Sequence, residues 1–108
     1  MPFERDGIVQ YSVDELKEIL RTGTAQVIDV RTEEEYRNGH IPNVPLKPMQ
    51  QLAEWMDDLD PEKPYVFVCR SGNRSQKVAE FLFLNGFRRV ANFDGGMLAW
   101  DGDLAYEE

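Results

Sequence analysis

The chain has 108 residues and a net charge of −8, with 20 Asp and Glu against 12 Lys and Arg, so it supports one core rather than two and lacks the basic surface needed to grip a phosphate backbone, which excludes nucleic acid as a main partner. Its apolar and charged fractions are those of an ordinary folded protein, no apolar run approaches the roughly 18 to 20 residues of a membrane span, and the opening residues Met1 to Asp6 lack the basic start and apolar run of a secretory signal. The single cysteine cannot close an internal disulfide, which suits a reducing compartment and leads us to expect a cytoplasmic protein.

Ile8 to Tyr11 reads as a short strand. Ser12 followed by Glu15 is a capping-box signature; it opens a helix with apolar positions at Val13, Leu16, Ile19 and Leu20, ended by Gly23. Ala25 to Val30 is a short run rich in β-branched residues, the pattern of a strand buried on both faces. Thr32 and Glu35 repeat the capping box and predict a short helix over Glu33 to Asn38, closed by Gly39. His40 to Pro48 holds three prolines and is expected to be irregular, apart from a short strand or edge near Val44.

A helix is predicted over Met49 to Leu59, turning Leu52, Trp55, Met56 and Leu59 inward. Asp60 to Pro64 is a turn, and Tyr65 to Val68 is the next strand. The loop Cys69-Arg70-Ser71-Gly72-Asn73-Arg74-Ser75 follows, then a helical pattern from Val78 to Asn85, stopped by Asn85-Gly86. Arg89 to Phe93 is the last strand, and Gly95-Gly96 breaks the chain before a short helix holding Met97, Leu98 and Trp100. The acidic runs at Glu33 to Glu35, Asp57 to Asp60 and Asp101 to Glu108 read as solvated faces or helix ends.

Strands alternating with helices predict an α/β fold, with a mostly parallel sheet covered on both faces. In such sheets ligands bind at the carboxyl ends of the strands. Asp29-Val30-Arg31, Cys69 and Asp94 all fall at predicted strand ends and are expected to share one edge. Cys69 carries the sharpest signal. It sits where a strand gives way to a helix, on a loop with two arginines in an otherwise acidic chain. Unpaired N–H groups and the helix dipole at such a point favour negative charge, and both lower the pKa of a thiol toward its nucleophilic thiolate. Ser75 is expected to cap the helix that follows.

Three segments together resemble the rhodanese family. Asp29 to Pro42 resembles its N-terminal signature, Cys69 to Ser75 its active-site loop, and Asp94-Gly95-Gly96-Met97-Leu98-Ala99-Trp100 its closing motif. The resemblance covers about residues 5 to 104 and implies one rhodanese domain over 1–108, with a three-layer fold and, because the cysteine is present, sulfurtransferase activity. The segment Asn43 to Leu46 looks shorter than in most members, which bears on one pocket wall.

The resemblance implies that Cys69 takes a sulfane sulfur from thiosulfate or a related small anionic donor, holds it as a persulfide, and passes it to cyanide, a thiol or a protein thiol. The loop Arg70 to Ser75 would offer backbone N–H groups to the sulfur, with Arg70 as the candidate for the anionic end of the donor. Neither cofactor nor metal is expected. One alternative is a persulfide carrier serving a protein partner. A cysteine-dependent phosphatase or arsenate reductase fits less well, because only Arg70, Ser71, Gly72 and Asn73 separate Cys69 from Arg74, a tight loop for a phosphoryl group. Arg74 either contacts substrate or ties the loop to a carboxylate. Asp29 and Arg31 either frame the pocket or form a structural ion pair. His40 is expected to hydrogen-bond structurally, and Trp55 and Trp100 to pack in the core.

Overall fold

A computed structural model describes residues 2–106. The alternation of strand and helix becomes a five-stranded sheet with the order β1-β2-β5-β4-β3. Its strands are β1 (Phe3–Arg5), β2 (Ile8–Tyr11), β3 (Gln26–Asp29), β4 (Pro64–Val68) and β5 (Arg89–Phe93). β2, β5, β4 and β3 run parallel, and β1 pairs antiparallel with β2. The helices are α1 (Val13–Thr22), α2 (Glu33–Arg37), α3 (Leu52–Trp55), α4 (Asn73–Leu84) and α5 (Gly96–Ala99).

Side chains of a strand point alternately to its two faces, and β4 divides its residues accordingly. Tyr65, Phe67 and then Cys69 join Trp55, Val78, Leu82 and Phe87 on one side of the sheet. Val66 and Val68 join Leu16, Ile41, Val44 and Phe93 on the other. The first cluster is roofed by α4 and the segment around α3, the second by α1, α5 and residues 40–44. Each fully buried Phe or Leu contributes roughly 1.5–3 kcal/mol, which fixes the register that carries Cys69 toward α4.

Both capping boxes form as the sequence requires, with Ser12 and Glu15 opening α1 and Thr32 and Glu35 opening α2. The predicted helix over Met49 to Leu59 is instead broken into a 3₁₀ turn (Met49–Gln51), the single turn α3 and another 3₁₀ turn (Met56–Asp58). No side chain caps any of the three pieces, and Asp57 and Asp58 stand at the C-terminal end, where negative charge opposes the helix dipole. The apolar stripe survives the break: Trp55 is buried and Leu52, Met56 and Leu59 pack against the same cluster. The expected edge near Val44 is a single parallel bridge between Asp29 and Leu46. β1 was not predicted; it follows from the tight turn at Asp6-Gly7, a hairpin dipeptide. Among the described residues no helix is long and apolar enough to cross a membrane.

Candidate active site

β4 ends at Val68, so Cys69 stands at the carboxyl edge of the sheet, beside the ends of β3 and β5. Its Sγ accepts hydrogen bonds from the backbone N–H of Gly72 at 3.1 Å, the N–H of Ser75 at 3.4 Å and the hydroxyl of Ser75 at 3.2 Å. The residue is 0% exposed. Burial pushes the thiol pKa up, but donation from the Ser75 hydroxyl and from the N–H groups of Ser75, Ser71 and Gly72 outweighs it, leaving Cys69 below the ordinary thiol value. Arg70, Ser71 and Asn73 are exposed around this buried sulfur. The Arg70 side chain makes no hydrogen bond or ion pair among the described residues, which leaves it free for an anion arriving from solvent.

Two glycines hold the cradle's shape. Gly72 has φ 91°, and a Cβ there would lie 2.0 Å from the Asp94 carbonyl oxygen. Gly96 has φ 62°, and its Cβ would lie 2.4 Å from the Arg70 carbonyl oxygen. Only glycine permits both the backbone conformation and the approach. That approach lets Met97 N–H donate to the Cys69 carbonyl at 2.9 Å and Leu98 N–H to the Arg70 carbonyl at 3.0 Å. The Asp94-to-Trp100 motif thus acts by docking its backbone on the cysteine loop.

The structure separates the other predicted residues by what they touch. Arg74 turns back to Glu35, with Nη1 2.7 Å from Oε1 and Nη2 2.8 Å from Oε2. This bidentate pair ties the first turn of α4 to the first turn of α2. Asp29 and Arg31 form a buried ion pair at 2.8 Å, and Arg31 also donates to the Gly39 carbonyl at 2.9 Å. His40 places Nδ1 3.0 Å from the Tyr36 carbonyl and stacks on the Tyr36 ring. Trp55 is buried, whereas Trp100 is half-buried and meets Phe93 edge-on. Ser75 is not the N-cap: α4 begins at Asn73 behind Gly72, so Ser75 lies in its first turn with its hydroxyl on Cys69. The cap position is Gly72, with a positive φ and no side-chain capping hydrogen bond.

The Glu35–Arg74 pair has a pH signature. The Arg74 guanidinium and the Thr32 N–H and hydroxyl overcome burial and hold Glu35 down to about 2 from 4.5. A depressed carboxyl stabilises the fold above its unfolded pKa and loses that contribution as pH falls through its folded pKa. Glu35→Gln is therefore expected to destabilise the protein by about 1–2 kcal/mol at pH 7, discounted because the pair is partly exposed. The gap from wild type should shrink between pH 4.5 and about 2. Urea unfolding at pH 7 and pH 3 checks this; a gap that does not narrow contradicts it.

Sequence reasoning passed over Gln10, Gln76 and Asn92. Gln10 and Asn92 are fully buried polar residues in strands whose other buried residues are apolar, and that interruption was their signal. Asn92 Nδ2 donates to Gly72 O at 3.0 Å and to Gln10 Oε1 at 2.8 Å, placing the amide directly behind the cysteine loop.

The rhodanese-like domain family matches residues 12–103. YtwF of Bacillus subtilis is 47% identical over 77 residues, covering 71% of this chain and 74% of that protein. The thiosulfate sulfurtransferase GlpE of Shewanella oneidensis is 34% identical over 89 residues, covering 82% and 88%. The crystal structure of a rhodanese-like domain protein from Staphylococcus aureus superposes with a TM-score of 0.82 at 39% identity, covering 92% of this chain and 98% of that one. The chain belongs to the rhodanese-like domain family.

Proposed function

We propose that this protein is a sulfurtransferase that carries sulfane sulfur from thiosulfate, or a related anionic donor, to a thiophilic acceptor on Cys69. The observation that carries this reading is the convergence of two N–H groups and one hydroxyl on a buried sulfur at the start of α4. The name of the GlpE relative supports thiosulfate as the donor.

In the first half-reaction the Cys69 thiolate attacks the outer sulfur of thiosulfate. The S–S bond breaks, sulfite leaves with the electron pair, and Cys69 holds a persulfide; Arg70 receives the sulfonate end of the donor. In the second half-reaction an acceptor nucleophile attacks the outer sulfur and the Cys69 thiolate leaves, restoring the enzyme. No proton is abstracted in either step, so no general base is needed.

With thiosulfate and no acceptor, the protein is expected to release about one sulfite per chain and stop, as a ping-pong cycle requires. Adding cyanide should then give continuous thiocyanate production. Sulfite that appears only once cyanide is present would overturn the covalent relay. A second reading, relay of the persulfide to a protein thiol, is favoured by the lone cysteine: no internal thiol can resolve the persulfide. Rapid sulfite release with slow cyanide turnover would support that version.

A further inference from the structure

The hydroxyl of Ser75 has one hydrogen and two acceptors within reach. Cys69 Sγ is 3.2 Å away and Asn92 Oδ1 is 2.5 Å away. A serine hydroxyl donates once and accepts through two lone pairs, so it cannot serve both acceptors at the same time.

The surrounding amides decide which acceptor holds the hydrogen. Asn92 Nδ2 spends its two hydrogens on Gly72 O and Gln10 Oε1. Gln10 Nε2 spends its pair on Ile8 O at 3.0 Å and Gln76 Oε1 at 2.6 Å. Gln76 Nε2 spends its pair on Arg5 O at 3.0 Å and Glu80 Oε2 at 2.8 Å. Each amide donates to at least one backbone carbonyl, which can only accept, so none of the three can flip. Asn92 Oδ1 therefore faces Ser75 permanently and can only receive its hydrogen. Asn92 and Ser75 are both 0% exposed, so no water stands in for either partner.

We propose that Asn92 is a positioning residue that makes the Ser75 hydroxyl a one-proton switch beneath Cys69. When Cys69 is protonated, Ser75 donates to Asn92 and accepts from the Cys69 S–H. When the thiol proton leaves to solvent, the hydroxyl hydrogen must rotate to the thiolate and abandon Asn92 Oδ1, leaving a buried carbonyl unpaired. When sulfur adds, charge moves from Sγ to the outer sulfur, and the hydrogen returns to Asn92. The network is thus complete in the thiol and in the persulfide and incomplete only in the bare thiolate, which biases the thiolate toward attack on the donor. This inference rests on Cys69 acting as the sulfur-carrying nucleophile, but its test does not.

The test is titration of the Cys69 thiolate, by ultraviolet absorbance and by iodoacetamide rate against pH, in wild type, Asn92→Ala, Ser75→Ala and the double variant. Asn92→Ala frees the Ser75 hydrogen, so the thiol pKa is expected to fall, raising the thiolate fraction at fixed pH by roughly tenfold, the effect of about one hydrogen bond. In the Ser75→Ala background the same substitution should leave the pKa unmoved. If Asn92→Ala leaves the pKa unchanged or raises it, or shifts it equally in both backgrounds, Asn92 acts only as a scaffold through Gly72 O and the proposal fails. If Asn92→Ala does not fold, Asn92→Leu, closer in volume, takes its place in the same cycle. A titration that behaves as described in a protein that takes no sulfur from thiosulfate would sink the proposed function and leave the switch standing.

Discussion

Cys69→Ser is expected to leave the fold in place and to remove sulfur transfer, lowering turnover by roughly four orders of magnitude or more, the scale seen when a catalytic nucleophile is deleted. The Sγ site tolerates an oxygen: the N–H groups of Gly72 and Ser75 donate to serine as they do to cysteine, so unfolding in urea should shift by less than about 1 kcal/mol. Chemistry does not survive the change. A serine hydroxyl stays protonated at neutral pH and is a poor match for sulfur, whereas the hydrogen bonds on Cys69 hold its thiol below the ordinary value. Wild-type turnover should accordingly persist at pH values where an ordinary thiol is protonated. A stable Cys69→Ser variant with appreciable thiocyanate production would show that the sulfur travels by another route.

Gly72→Ala is expected to have the largest effect on stability, about 3–5 kcal/mol, with a fall in melting temperature of roughly 15 °C or more. The added Cβ would sit 2.0 Å from the Asp94 carbonyl oxygen and 2.9 Å from its carbon, at a φ of 91°. Both obstacles are backbone atoms, so neither can swing away as a side chain would. Relief requires the loop to part from the Asp94-to-Trp100 motif, which also pulls the Gly72 N–H off Cys69 Sγ. Loss of activity should therefore exceed what the remaining folded fraction explains. Calorimetry and single-turnover sulfite release on the same sample check both halves; a stable, fully active Gly72→Ala would contradict the geometry.

What could be read from the sequence was local. The capping boxes Ser12/Glu15 and Thr32/Glu35 each join residues three positions apart and form as expected. The apolar run around Ile28 announces a strand buried on both faces, the run around Phe67 announces another strand, and Cys69 follows from the end of the latter. The features that escaped depend on partners far along the chain or on backbone alone. Arg74 could be placed against a carboxylate only once Glu35, 39 residues earlier, was seen to reach it. The helical pattern from Val78 misses the first turn of α4, which starts at Asn73 behind Gly72 with no side-chain cap to mark it. The Ser75–Asn92–Gln10–Gln76 network joins residues 17, 82 and 66 positions apart, a separation at which no sequence pattern signals contact. β1 has three exposed residues and no alternation, leaving only Asp6-Gly7 to mark it.

The central claim is that Cys69 carries the sulfur. Mass spectrometry of the intact protein after brief exposure to thiosulfate, followed by proteolysis without reductant, tests it most directly. The expected result is a gain of one sulfur atom, localised to the peptide containing Cys69 and discharged by cyanide. An unmodified Cys69 under conditions where thiocyanate is being produced would contradict the account.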